Sequence, residues 1–285
     1  MCGICGLMMD DSSLRYSPVG SILQDMMESQ QIRAQDGAGI AIFDKNNAGD
    51  SFKIKNFRKE GMSNYSIDEV ESSSENVPEN LEKLSQDSEC HFFSFENEMT
   101  ILKETGLARD LDRKFGIRKM NGSHGIGHLR IATSSRVTPY NTHPFSTTIV
   151  PDIAIVHNGE ITNYNMLRDS LELEGFTFHT DSDSEVIAVF LASKILKHGD
   201  IERAHREFVA KADGPFTYIA ATADSIAIVR DKFGTRKGII GYNPGDSDHP
   251  PFWAMATDLS ALDVVGATTK IETPHPGKPR IFYRN

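Results

Sequence analysis

A cysteine stands at position 2, directly behind the initiator methionine, in the run Met1-Cys2-Gly3-Ile4-Cys5-Gly6. A small second side chain permits removal of Met1, which leaves Cys2 carrying both a thiol and a free α-amine. That amine titrates near pH ~8 in model peptides, close enough to neutrality to take the proton from its own thiol. A terminal residue that activates itself in this way is one of the recognised routes to a reactive nucleophile. Cys2 and Cys5 also form a Cys-x-x-Cys, but a zinc site needs a second ligand pair, and Cys90 with His91 is the only remote candidate. No metal is expected, and Cys5 reads as a small buried apolar residue.

Four further segments carry residues of the right type for chemistry. Arg33-Ala34-Gln35-Asp36-Gly37-Ala38-Gly39, taken alone, is a glycine-rich helix-to-strand turn. Gly127-His128-Leu129-Arg130-Ile131-Ala132-Thr133 ends an apolar strand with a cation. Such an arginine is either solvated or, beside a pocket, a planar fork for a carboxylate. Ile155-Val156-His157-Asn158-Gly159-Glu160 runs a strand into Asn-Gly, which is a turn pair or an oxyanion hole built from the Asn158 amide and the Gly159 N–H. His179-Thr180-Asp181-Ser182-Asp183-Ser184-Glu185 opens a helix with three acids in five residues. That is more than capping requires, so one of them is available for a ligand ammonium. His128 and His157 read as structural, and neither a histidine metal pair nor a glycine-rich phosphate loop occurs.

These segments must be positioned by elements legible from pattern. Ser17-Pro18 with Ile22, Leu23, Met26 and Met27 predicts a helix to about Gln31. Gly39–Phe43, Gly125–Ala132 and Ile153–His157 read as strands, with a turn-rich Pro139–Pro144 between the last two. Asn163 opens a helix ended by Gly175, and Asp183 or Ser184 caps a stronger one ended by Gly199. Phe216–Ala221, Ser225–Arg230, Ile239–Tyr242 and Phe252–Ala256 follow as strands joined by short turns. Strands and helices come in blocks, so the expected class is α+β, with antiparallel sheets flanked by helices rather than a doubly wound parallel sheet.

The 285 residues are expected to form a single domain. An acidic, Ser-rich stretch around 60–90 reads as an exposed insertion with a short helix near Leu81–Leu84, a solvated loop by default. A net charge of −10 argues against nucleic acid, and no apolar run suits a membrane span. Without a secretory pattern at its start, the chain is expected in the cytoplasm with its three cysteines reduced.

Six of these segments, in this order, resemble the class II glutamine amidotransferase domain of the N-terminal-nucleophile hydrolase superfamily. The sixth is Arg230-Asp231-Lys232-Phe233-Gly234-Thr235-Arg236, similar to a late family turn. The resemblance runs from Cys2 to about Asp263 and leaves a short C-terminal extension. It implies a four-layer αββα sandwich of two antiparallel sheets between helices. Cys2 is implied as nucleophile with its own amine as base, Asn158 and Gly159 as the oxyanion hole, and Arg33 as the residue orienting the terminus. Arg130 is implied at the glutamine α-carboxylate with Thr133 nearby, Asp183 at the ammonium, and His157 among the glutamine-binding residues. Ala34 replaces the usual glycine and Ile131 a common aromatic.

The extent of the chain looks most like the separate amidotransferase subunit related to glutamate synthase and N-methylglutamate synthase. The implied function is a glutaminase that needs no cofactor and delivers ammonia from L-glutamine to a separate flavin-containing synthase subunit. A free-standing glutaminase and an inactive glutamine-binding sensor or assembly subunit are the alternatives. All of the catalytic readings require a free amine on Cys2. The intact mass is therefore expected to fall short of the encoded mass by one methionine, and a retained Met1 would leave the thiol without its base.

Overall fold

Along the first strand, successive side chains go to opposite faces. Ile4 and Met8 enter one apolar layer, and Cys5, Leu7 and Met9 enter another. The same alternation repeats across a computed structural model that describes residues 2–10, 18–60, 64–85, 90–131, 137–247 and 250–285. In chain order the strands are β1 Gly3–Met9, β2 Gly37–Phe43, β3 Ser51–Glu60, β4 Asn64–Ser73, β5 Cys90–Glu96, β6 Met99–Thr105, β7 His124–Arg130, β8 Ile153–Gly159, β9 Phe216–Thr222, β10 Ser225–Arg230, β11 Ile239–Asn243, β12 Phe252–Ala256, β13 Thr269–Glu272 and β14 Arg280–Tyr283. The helices are α1 Val19–Ser29, α2 Val77–Ser85, α3 Ala108–Phe115, α4 Tyr164–Leu173, α5 Asp183–His198, α6 Ile201–Lys211 and α7 Ser260–Asp263.

A seven-stranded antiparallel sheet, in the order β13-β11-β12-β1-β7-β2-β6, faces a four-stranded one, β14-β10-β9-β8. Between them Ile4, Met8 and Ile126 of the first sheet meet Val156, Ile219 and Ile228 of the second. The outer face of the large sheet buries Leu7, Ile40 and Leu129 under Ile22, Leu23 and Met26 of α1. The outer face of the small one buries Ile155, Tyr218 and Val229 under Ile187, Leu191 and Phe208 of α5 and α6. Three apolar layers separate four layers of secondary structure, which is the αββα sandwich expected. The stretch after Asp263 supplies β13 and β14, which pair along β11 and β10 respectively.

Two local expectations change. The cap of α5 is Ser182, whose hydroxyl accepts from Ser184 N–H at 3.2 Å, and Asp183 is instead the first helical residue. Its carboxylate turns away to accept the Ile161 N–H at 3.0 Å. Where it is described, the acidic stretch is not a loop: β4 pairs with β3, which pairs in turn with β5. The reason is charge. Lys53 and Glu69, Lys55 and Glu69, and Arg58 and Asp68 form cross-strand ion pairs, and Ile54, Phe57 and Phe93 bury the apolar side. The segment also supplies α2, which contains the helix expected at Leu81–Leu84.

The loop before β8 lies directly on β2. A Cβ built on Gly39 would stand 2.1 Å from the carbonyl oxygen of His143, so only glycine lets the loop approach this closely. Gly39→Ala is therefore expected to cost about 1–3 kcal/mol through overpacking. In urea the unfolding midpoint should fall with an unchanged m-value, and an unaltered midpoint would contradict the contact.

Candidate active site

The register of β1 decides where Cys2 stands. Gly3 lies opposite Leu129 on β7, and Gly37 of β2 lies opposite Arg130. Cys2, one residue before β1, therefore ends beside Arg130, one residue after Leu129. Arg130 is 5% exposed. Burial lowers its guanidinium from the ordinary value, while Cys2 and Asp36 alongside pull the other way. From the opposite sheet, Asn158 Nδ2 donates to the Cys2 carbonyl oxygen at 2.9 Å. A carboxamide carries two N–H donors, so one anchors Cys2 and the second is left for another acceptor. Gly159 closes β8 at φ 138°, where an added Cβ would meet the Pro215 carbonyl oxygen at 2.1 Å. A glycine is required there both by space and by backbone angle.

The remaining predicted residues arrive from different directions. Arg33 Nη1 pairs with Asp258 Oδ2 at 2.6 Å, joining the segment after α1 to the residue two past the end of β12. Asp183 is brought to β8 by α5, with Oδ1 at 3.8 Å from His157 Nδ1. The His157 ring itself is buried on the helix side, 2.9 Å from Ser184 Oγ, while its main chain precedes Asn158. Its neighbour His128 bridges the sheets, with Nε2 at 3.2 Å from the His157 carbonyl oxygen. Thr133 lies outside the described residues. The late turn is built around Asp231, which accepts from Phe233, Thr235 and Arg236 N–H groups, and it sets Arg236 near enough to His157 to help hold that imidazole neutral. Cys5 lies behind the site, fully buried, its thiol pushed up to about 12 by desolvation.

The family profile of the glutamine amidotransferase domain matches residues 128–262. The chain is 31% identical over 313 residues to a Methanothermobacter thermautotrophicus protein assigned to the glutamine amidotransferases, covering 99% of each. It is also 31% identical over 261 residues to the glutamine amidotransferase-like protein GlxB of Rhizobium meliloti, covering 84% of this chain and 85% of that one. The chain belongs to the glutamine amidotransferase family. Its fold is that of the class II members. The B. subtilis glutamine phosphoribosylpyrophosphate amidotransferase complexed with ADP and GMP aligns over 99% of this chain and 49% of its own, with a TM-score of 0.65 and 22% identity.

Three residues around this cluster have no role assigned to them from sequence alone. Asp258 stands 225 positions from the arginine it pairs with. Glu185, within a motif already singled out, accepts His179 N–H at 2.8 Å and Thr180 N–H at 2.7 Å and so holds the loop before α5. Lys103, on β6, is fully buried with its ammonium 4.8 Å from the Phe93 ring centroid and 5.2 Å from that of Phe145. Desolvation lowers it to about 7, against the pull of Glu185 and Glu96. An unfolded lysine titrates near ~10.4, so between about pH 7 and 10 the unfolded chain binds more protons than the folded one. Stability is then gained as pH rises across that window. Lys103→Met is expected to flatten this rise in melting temperature relative to the parent, and parallel curves would rule out a depressed Lys103.

Proposed function

We propose that this chain hydrolyses the side-chain amide of L-glutamine to glutamate and ammonia through a thioester on Cys2, and passes the ammonia to a separate synthase subunit. The observation carrying the proposal is the Asn158 hydrogen bond to Cys2 across the two sheets, with Arg130 beside the same residue. A free amino acid presents a carboxylate, an ammonium and a reactive amide. Arg130 offers the first a bidentate cation. Asp183 offers the second a carboxylate whose side chain is 23% exposed.

In this reading the Cys2 α-amine, through a water, removes the thiol proton, and Sγ attacks the amide carbon. The second Asn158 N–H and the Gly159 N–H receive the oxyanion that forms. The protonated amine then returns its proton to the departing nitrogen as the C–N bond breaks. Ammonia leaves, and a γ-glutamyl thioester remains. Water attacks that thioester, the C–S bond breaks, and glutamate and the free thiol are recovered. Arg33, braced by Asp258, orients the segment flanking the terminus. A synthase partner fits the chemistry because ammonia released to solvent is lost to any acceptor. The flavin content of that partner rests on the resemblance to glutamate synthase alone.

A glutamine-analogue electrophile is expected to label Cys2 with loss of glutaminase turnover, and Cys2→Ala to abolish both. Asn158→Ala should lower kcat by ~10²–10³. Absence of a Cys2 adduct would overturn the enzyme reading. Turnover unchanged by any synthase chain, with no complex formed, would support a free-standing glutaminase instead.

A further inference from the structure

Ser184 occupies the first turn of α5, next to Asp183, and is 1% exposed. Its hydroxyl lies 2.9 Å from His143 Nε2 and 2.9 Å from His157 Nδ1, and Oγ is 3.3 Å from Asp183 Oδ1. A serine hydroxyl has one proton and two lone pairs. If the proton goes to the Asp183 carboxylate, both imidazole N–H groups donate to Oγ, and the hydroxyl is fully used. That arrangement sets the tautomers as Nε2–H on His143 and Nδ1–H on His157. It leaves His143 Nδ1 and His157 Nε2 as bare lone pairs, and both are among the ring nitrogens buried without a hydrogen-bond partner in the described residues. Both rings are held neutral by desolvation, as this count requires.

Three pieces of the site thus meet on one oxygen atom. Asp183 is its covalent neighbour. His157 precedes Asn158 on β8. His143 comes from the loop that rests on Gly39 of β2, and its ring stacks on His128 with centroids 4.0 Å apart. We propose that Ser184 is a positioning residue of the glutaminase reaction, its hydroxyl setting the spacing between the ammonium-binding Asp183 and the Asn158 oxyanion donor. The proposal rests on the glutaminase reading above. The geometry explains why a small hydroxyl stands there. Alanine would leave two buried N–H donors unpaired, whereas threonine retains the oxygen.

The test compares two electrophiles on the full chain with a processed N-terminus. A glutamine analogue requires Asp183 and Asn158 in place, and iodoacetamide requires only an accessible Cys2 thiol. Adducts are read at Cys2 by peptide mass, because Cys90 is also partly accessible. Ser184→Ala is expected to slow analogue labelling by about 10- to 100-fold, the scale of a misplaced reacting group, and to leave iodoacetamide labelling within about twofold. Ser184→Thr should restore the analogue rate, and the loss in Ser184→Ala should appear in both KM for glutamine and kcat. If both reagents slow together, the hydroxyl is merely structural and the proposal fails. It also fails if neither rate changes. Absence of analogue labelling in the parent would instead sink the glutaminase reading itself, and the positioning role with it.

Discussion

Everything at the site depends on β1 being held along both edges. It pairs with β7 from Gly3 opposite Leu129 and with β12 from Cys5 opposite Ala256. A slip of one residue would send Cys5, Leu7 and Met9 into the space between the sheets and expose Ile4 and Met8 to the helical layer, since side chains alternate with period two. Two apolar layers of different shape therefore lock the register. Cys2, immediately before the strand, inherits that precision, and the Asn158 hydrogen bond to its carbonyl oxygen adds a further anchor. A nucleophile at a chain terminus would otherwise be the least ordered residue of a domain.

The same constraint explains the polar seam beneath the site. Asn158, His128 and His143 lie where the two sheets meet at their polar end, and His157 and Ser184 lie one layer further out, under α5. These groups are buried, which favours pairing within the protein and holds the imidazoles neutral. The depressed histidines follow from that burial. Hydrogen bonds in a buried network of this kind restrain its members, which suits a reaction that depends on preorganised donors.

The small sheet β4-β3-β5 is tied to this region and is not a free appendage. His91 packs on Tyr140 with ring centroids 4.5 Å apart, and Phe92 on His179 at 4.8 Å. Lys55 reaches the buried Glu96 at 2.7 Å. The two ring contacts brace the loop before β8, which carries His143, and the loop before α5, which Glu185 holds. Its acidic composition suggested solvent. Pairing with a basic strand ten or so residues earlier neutralises it.

Apolar alternation and turn residues were enough to foresee the strands that carry Arg130 and Asn158, because those strands are buried on both faces and leave little ambiguity, whereas β1 behind Cys2 was not foreseen. The same holds for α5 and its Gly199 stop, with the cap displaced by one residue to Ser182. Edge and partly exposed elements, such as β4, β13 and β14, escaped, since half-solvated strands have weak patterns and their partners lie far along the chain. For this protein, then, residue type and local order determined which groups do chemistry and which segments present them. Only the tertiary structure decided who meets whom. Asp258 finds Arg33, and Ser184 joins His143 to His157, because strand register and layer packing are long-range properties that no local spacing encodes.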